Sequence, residues 1–438
     1  MSTTFNRTRR AGGRRTVIVA SAAAAAAALG LAACSSAATT SRSGTTTPSS
    51  ATASSGAATA SASAAATTAA GACGSIPTVA PQDPSGVLAK LPASVTADYN
   101  GYTSPLAPSL WAHWKPSHAG PYRVAIVWNP PLNTFVVDTL QAMTAALKAA
   151  GDVDIISSTA PQSPSDVPGN IQLYNEAVAE KPDLIISFPL AAGPLIPAVE
   201  AAAKKGIPTV SPWVATPTPA AVSVGANNWL QAVTLASKVV NQLKGSGTIL
   251  EVQGIPSVQQ DIDAFAGFKS VLAQCPNMTV AGEVTGDYSP AAAQQAVLQF
   301  LSAHPGKIDG VFEAGTMTAG IIQAFKQLGR PVPVIADLGT TEGSIAYAGE
   351  NQSTYQEYGT STPDSAIGQT VAKVVLDMLS GNDPAIDQLV SSMRVIDQGN
   401  LSSVYRSSWT LSDADDAALP NDPFFTSQQL AAFIGGQG

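Results

Sequence analysis

Residues 123–128, Arg123-Val-Ala-Ile-Val-Trp128, form a short apolar run that is typical of a strand buried in a parallel sheet. A helix is predicted after it at residues 135–150, because apolar side chains recur there at helical spacing and Gly151 ends the pattern. The same alternation then continues along the chain. Strands are predicted at 153–157, 183–188, 207–211 and 221–225, with helices at 172–180 and 195–205. This alternation predicts an α/β lobe.

A second series of strands and helices follows the first. Strands are predicted at 248–253, 280–285, 310–313, 332–337 and 354–358, and helices at 228–244, 263–274, 290–303, 316–328, 343–349 and 364–379. Two such series predict two α/β lobes with parallel sheets. Right-handed crossovers place the loops after the strands at one edge of each sheet, where open α/β sheets bind ligands. Two facing edges would form a cleft.

The charge balance limits the choice of partners. The chain has 438 residues, of which 45% are hydrophobic and 12% are charged, and its net charge is −8. The five arginines ahead of Cys34 lie in what looks like a removable leader, so the processed chain would carry 17 basic and 30 acidic residues. A nucleic-acid partner is not expected, because it requires a basic surface.

The first 33 residues are predicted to be a lipoprotein signal peptide. Arginine pairs precede the uncharged, alanine-rich stretch 16–33, which ends in Leu31-Ala-Ala-Cys34. This order is typical of a secretory signal, and its end resembles the bacterial lipobox, in which the cysteine is acylated. The alternative is a signal anchor that stays in the membrane, for which 18 residues are barely long enough. Both Sec and twin-arginine export remain open.

Two segments separate Cys34 from the lobes. Residues 34–72 are rich in Ser, Thr, Ala and Gly without an apolar face, which predicts a disordered tether or a stalk with O-linked sugars. Residues 73–120, here called the prelude, are rich in proline and contain Trp111 and Trp114. We expect the prelude to be an extended segment that packs on the surface of the folded body. The protein is then expected outside the cytoplasm, attached to the outer face of the bacterial cell membrane by its lipid alone.

The remaining cysteines, Cys73 and Cys275, could form a disulfide, because a pair left over outside the cell tends to oxidise. The alternative is two unpaired thiols, since the sequence does not give their separation.

No phosphate-binding glycine loop and no HExxH, GxSxG or SxxK motif occurs. The three histidines are scattered and are interpreted as surface or packing residues. Neither a cofactor, a metal nor an enzyme activity is predicted.

Several stretches carry a family resemblance: Lys205-Gly-Ile-Pro-Thr-Val210, Leu250-Glu-Val-Gln-Gly-Ile255, Phe265-Ala-Gly-Phe268, Ala303-His-Pro-Gly-Lys-Ile-Asp-Gly-Val-Phe312 and Asp364-Ser-Ala-Ile-Gly368. From Tyr122 to about Gly381 the chain resembles the ribose-type, type I periplasmic binding proteins, the substrate-binding components of ABC importers. Lac-repressor-type regulators share this fold, but they need an N-terminal helix-turn-helix, where this chain has its leader and tether.

The resemblance implies two Rossmann-like lobes joined by a three-strand hinge. It divides the chain into lobe 1 (121–226 and 362–381), lobe 2 (227–361 and about 382–410) and a C-terminal extension (411–438). Asn133-Thr-Phe135 fits the Asn-x-Phe that sugar binders of this family carry after strand one.

Most other ligand positions depart from the family pattern. Pro212-Trp213 replaces an Asp-Arg pair, and an expected arginine is absent where Asp261 and Asp263 occur. Phe188 replaces a common asparagine, and Asp337 lies one position early. The two aspartates at 261 and 263 could instead cap the following helix. The candidate ligand residues are Trp128, Asn133, Phe135, Phe188, Trp213, Asn227, Asp261, Asp263, Tyr288 and Asp337.

The aromatic candidates could stack on a ligand or pack in the core or hinge. The missing arginine argues against an ordinary pentose or hexose. A pocket with two aspartates and aromatic walls could suit a sugar derivative, a nucleoside-like ring or a cationic small molecule. We expect a monomeric solute-binding lipoprotein that captures a small organic solute, a sugar or sugar-like molecule, between its lobes and delivers it to an ABC permease. The alternatives are a receptor for a membrane sensor kinase and a secreted enzyme, for which no nucleophile–base pair is evident.

Overall fold

A computed structural model describes residues 72–434. The predicted signal peptide (1–33), the lipidation site Cys34 and all but the last residue of the tether lie outside these residues. Within 72–434, none of the helices is both long and apolar enough to cross a membrane.

Twelve strands and twelve α-helices alternate along most of the described chain. The strands are β1 Tyr122–Val127, β2 Val153–Thr159, β3 Leu184–Ser187, β4 Thr209–Trp213, β5 Ala221–Ala226, β6 Ser246–Gln253, β7 Asn277–Thr285, β8 Gly310–Glu313, β9 Val334–Asp337, β10 Glu357–Thr360, β11 Gln388–Ser391 and β12 Val395–Ile396. The helices are α1 Ala93–Thr96, α2 Thr134–Ala150, α3 Val167–Ala179, α4 Ala192–Ala203, α5 Asn228–Gln242, α6 Gln259–Leu272, α7 Pro290–Ala303, α8 Thr318–Gln327, α9 Glu342–Glu350, α10 Asp364–Leu379, α11 Leu401–Val404 and α12 Ser427–Ile434.

The strands form two six-stranded sheets, one in each lobe. Their orders are β11-β5-β4-β3-β1-β2 and β12-β10-β9-β8-β6-β7, and all neighbours are parallel except β10 and β12. The central strands are fully buried, as expected for apolar runs covered by helices on both faces. The predicted fold class, two α/β lobes with parallel sheets, is confirmed.

Local sequence explains where the helix that borders the cleft starts and stops. Asn133 is the N-cap of α2, where its Oδ1 accepts a hydrogen bond from the Val136 N–H at 3.1 Å. Gly151 ends the same helix in the left-handed conformation, with φ of 81°, as the sequence predicts.

The chain passes between the sheets after β5, after β10 and between β11 and β12. The predicted division assigned residues 382–410 to lobe 2, but Gln388–Ser391 pairs with β5 in the sheet of lobe 1. Only from Val395 does the chain rejoin the second sheet, next to β10. The third crossing is therefore later than predicted, because a short apolar strand first covers the β5 edge.

The prelude packs on lobe 1, but it is not extended throughout as its proline content predicts. It contains short helical turns and buries Tyr99 and Trp111 against lobe 1. The Tyr99 hydroxyl donates to the Gln388 carbonyl at 2.7 Å, and Trp111 Nε1 donates to the Ala220 carbonyl at 2.8 Å. Aromatic side chains thus fill the space beside β11 and β5.

Two further links connect the terminal segments to the lobes. A disulfide joins Cys73, at the start of the prelude, to Cys275 after α6 in lobe 2, with 4.7 Å between the Cα atoms. The C-terminal extension pairs with lobe 2 through Ala417, whose N–H donates to the Thr340 carbonyl at 2.8 Å. It then packs Phe424 and Phe433 into the core of lobe 1.

Candidate functional site

A cavity of about 70 Å³ lies between the two lobes, where the carboxyl edges of the sheets face each other. Lobe 1 contributes the loops after β1, β2, β3 and β4, and lobe 2 contributes the loops after β6 and β7. The lining residues are Asn129, Leu132, Asn133, Val136, Pro164, Phe188, Pro189, Leu190, Val214, Ile255, Val258, Gln260 and Tyr288. None of them carries a charge at neutral pH.

Four polar side chains supply the hydrogen-bonding capacity of this cavity. Asn129 Oδ1 and the Tyr288 hydroxyl are buried and have no hydrogen-bond partner within residues 72–434. Such orphan polar atoms are rare in folded proteins and call for an explanation. Asn133 and Gln260 each use their amide oxygen within the protein, which leaves their amide N–H groups as donors. A neutral ligand with several hydroxyl groups matches this set.

Tyr288 is held in place by its backbone and by Gly254. Its φ is 53°, an uncommon conformation for a non-glycine residue, and such residues concentrate at functional sites. The ring lies against Gly254, where a Cβ atom would be 2.2 Å from Tyr288 Cζ. Burial raises the pKa of Tyr288 well above its usual value, so its hydroxyl is neutral and can both donate and accept.

The predicted ligand residues separate into three groups in the structure. Asn133, Phe188 and Tyr288 line the cavity. The aromatic residues Trp128, Phe135 and Trp213 are buried and do not line the cavity. Trp128 donates to the Val136 carbonyl at 2.9 Å and packs edge-on against Phe188, with 5.2 Å between ring centroids.

The other four predicted residues are engaged elsewhere. Asn227 caps α5 and donates to the carbonyls of Asp98 and Asn100 at 2.9 and 2.8 Å, which ties the prelude to the hinge. Asp263 accepts from Gln259 at 2.8 Å, and neither residue is part of the cavity lining. Asp261 and Asp337 bind backbone groups of their own loops.

Asp261 holds the loop between β6 and α6. Its Oδ1 accepts from the Gly254 N–H at 2.6 Å, so it braces the glycine under Tyr288 instead of capping the helix end. Burial raises the pKa of Asp261 to about 6, a change that the hydrogen bond from Gly254 opposes. This aspartate supports the cavity wall from outside the lining.

Asp337 belongs to a group of buried carboxyl groups in lobe 2 with Glu313 and Glu357. Burial is the main cause that raises the pKa of both glutamates, and the neighbouring Asp337 raises it further. Glu313 accepts from the Gly315 N–H at 2.7 Å, and Asp337 accepts from the Gly339 N–H at 2.8 Å. These bonds shape the two loops that end at the lobe interface. Within residues 72–434, no group of three acidic, histidine or cysteine residues is arranged to bind a metal.

Sequence reasoning missed several lining residues, including Asn129, Leu190, Val214, Ile255 and Gln260. Asn129 follows directly after the first apolar strand, so its position at a strand end was a usable signal. Gln260 comes after a loop and at the start of α6, and nothing in the local sequence separates it from Gln259.

Comparisons with known proteins agree with this architecture. The periplasmic binding protein domain family matches residues 124–383. The xylitol-binding protein of Mycolicibacterium smegmatis is 27% identical over 216 residues, which is 48% of this chain and 60% of that protein. The match thus spans less than two thirds of the curated relative.

Solved structures show the same fold at low identity. An ABC transporter solute-binding protein from Bacillus halodurans with bound myo-inositol has a TM-score of 0.58 and 18% identity, over 65% of this chain and 98% of that one. The fructose-binding periplasmic domain of a hybrid two-component system has a TM-score of 0.56 and 20% identity, over 64% and 92%.

The chain belongs to the type I periplasmic binding protein family. Membership implies a location outside the cytoplasm. This family consists of binding proteins, which fits a protein that is not an enzyme.

Proposed function

We propose that this protein binds a small, neutral polyhydroxyl solute, a sugar or sugar alcohol, and delivers it to the permease of an ABC importer. The observation that carries this proposal is the uncharged cavity between the lobes. In it, Asn129 Oδ1 and the Tyr288 hydroxyl have no hydrogen-bond partner within residues 72–434. Ligand hydroxyl groups can donate to Asn129 Oδ1, and they can donate to or accept from the Tyr288 hydroxyl. The relatives named for xylitol, myo-inositol and fructose support the same ligand class.

The cavity lining argues against a cation, one of the ligand types that the sequence leaves open. Asp261 and Asp263, which follow strand β6, are the sequence feature that suits a cation. Since both carboxylates lie outside the cavity lining, no charged group is present there to offset the desolvation of a cation. Phe188 offers an apolar surface that suits the C–H face of a polyol.

Closure of the lobes supplies the signal to the membrane partner. Three crossings form a hinge, and the ligand favours the closed form by contacting both lobes at once. The lobes touch through Trp213 Nε1 and Gln260 Oε1 at 2.8 Å, and Thr134 Oγ1 of lobe 1 donates to the Ala414 carbonyl of the C-terminal extension at 2.7 Å. A receptor for a sensor kinase would use the same closure, and the fructose-binding sensor domain supports it as the second candidate.

Titration calorimetry with xylitol, myo-inositol, D-fructose and L-arabinose tests the proposal. We expect at least one to bind, and small-angle scattering to show a smaller radius of gyration with that ligand. The variant Tyr288→Phe should weaken binding by about 2- to 10-fold, the effect of one net hydrogen bond. Tyr122→Phe is the matched control, since Tyr122 starts β1 at the opposite edge of the sheet. Failure of all four solutes to bind would reject the ligand class, and equal losses in both variants would reject the site.

We also propose that the protein is a lipoprotein anchored through Cys34. Leu31-Ala-Ala-Cys34 supports this, because the thiol is the acyl acceptor in the lipobox that it resembles. Replacing Cys34 by serine should release the protein from the membrane fraction, whereas the control Ser35→Ala should stay bound. Several acyl chains are needed for stable anchoring, since one chain is a marginal anchor. A Cys34→Ser variant that keeps its leader and remains in the membrane fraction would contradict the proposal.

A further inference from the structure

Trp213 makes a hydrogen bond across the cleft from an unusual backbone conformation. It is the last residue of β4 in lobe 1, and its φ is 63°. This region is costly for a bulky side chain and persists only where the surroundings require it. Gly225 on the neighbouring strand makes room, because a Cβ there would lie 2.7 Å from the Trp213 carbonyl oxygen.

The indole of Trp213 is enclosed by aromatic rings and reaches the opposite lobe. Its ring centroid is 4.9 Å from that of Phe135 and 6.1 Å from that of Phe424 in the C-terminal extension. Its Nε1 donates to Oε1 of Gln260, at the start of α6, over 2.8 Å. The surrounding rings leave the indole little freedom to change this direction.

The chemistry of this bond determines which end of the Gln260 carboxamide faces the cavity. An indole N–H can only donate, so only the amide oxygen of Gln260 can be its partner. Gln260 lines the cavity, and its Nε2 makes no hydrogen bond to any residue within 72–434. The amide N–H groups of Gln260 are therefore available as donors on the lobe 2 side of a cavity that Asn129 lines from lobe 1.

We propose that Trp213 is a positioning residue that determines ligand specificity by holding the Gln260 carboxamide with its N–H groups toward a ligand oxygen. This inference rests on the proposed binding of a polyol in the cavity. It predicts a preference for ligands that have an acceptor oxygen beside Gln260. Without the indole N–H, the amide could rotate and would lose this preference.

Three variants test the proposal in titrations with the polyols xylitol and myo-inositol. Trp213→Phe keeps a ring and removes the N–H, and we expect it to weaken binding about 5- to 20-fold in the presence of Gln260. In a Gln260→Leu background the same change should cost less than about 2-fold, because the group that it positions is gone. Equal losses in both backgrounds would overturn the proposal and assign Trp213 to packing.

Gln260→Glu keeps an acceptor for the Trp213 indole but changes the group that faces the ligand. It leaves the tryptophan itself unchanged, so the test does not depend on the folding of a tryptophan variant. A glutamate can still accept from the indole, but it offers a ligand oxygen no N–H and can only accept from a ligand O–H, so affinity should fall below that of the wild-type protein. Wild-type affinity in Gln260→Glu would overturn the proposal.

A measurement without ligand distinguishes this proposal from the proposed function. If none of the four solutes binds the wild-type protein, the ligand class fails, and hydrogen exchange of the Trp213 indole N–H then tests the bond between the lobes. That exchange should be at least 10-fold slower in the wild-type protein than in Gln260→Leu. Equal rates would show that the positioning bond does not exist in solution.

Discussion

Replacing Cys73 and Cys275 together by serine should lower the free energy of unfolding by about 4 kcal/mol. The two cysteines are 202 positions apart, and the stabilisation by a disulfide grows with the length of the loop that it closes in the unfolded chain. The bond also attaches the prelude to lobe 2, where Asn241 Nδ2 donates to the Gly74 carbonyl at 2.9 Å. Loss of the bond should therefore loosen the prelude as well as destabilise the whole protein.

Urea unfolding of the double variant against the wild-type protein measures this effect. Limited proteolysis should show earlier cleavage within residues 76–92, ahead of the buried Tyr99. Ser75→Ala is a useful control, since it removes a neighbouring hydrogen bond to Gln274 but leaves the disulfide intact. A loss below about 1 kcal/mol would mean that the packing of the prelude, and not the covalent bond, holds this segment.

The second large effect is a fall in stability as the pH rises from about 4 to about 8. Burial raises the pKa of Glu251 to about 7 and that of Asp261 and Asp387 to about 6. Burial also raises the pKa of Glu313 and Glu357. A carboxyl group with a raised pKa in the folded state stabilises the fold while it is protonated. That contribution is complete below the unfolded pKa near 4 and is lost as the pH passes the folded value.

Glu251 alone should contribute on the order of 3 kcal/mol to this difference. Both of its carboxylate oxygens are buried and have no hydrogen-bond partner within residues 72–434. Urea unfolding at pH 4.5, 6 and 8 should show decreasing stability in the wild-type protein. The decrease should be smaller in Glu251→Gln, whereas Glu176→Gln on the exposed surface of α3 should match the wild type. Stability that rises over this range would contradict the assignment.

Periodic patterns along the chain were enough to predict the fold. Helices α7 and α10 and strand β8 begin and end where the sequence predicts, because proline, glycine and apolar spacing act over a few residues. The third hinge crossing lies later than the sequence predicts, since β11 is only four residues long and joins a sheet that begins far away in the chain. A short strand is defined by its neighbours more than by its own sequence.

Strand ends could be located from the sequence, and with them Asn133, Phe188 and Tyr288, which line the cavity. Local patterns could not distinguish these residues from Asn227, Asp263 and Trp213, which also follow strands or start helices. Their roles depend on contacts with distant segments: Asn227 binds the prelude, and Trp213 binds Gln260 of the other lobe. Such contacts arise only when the chain folds back on itself, so three-dimensional packing assigned these side chains to the cavity wall, the hinge or the lobe interface.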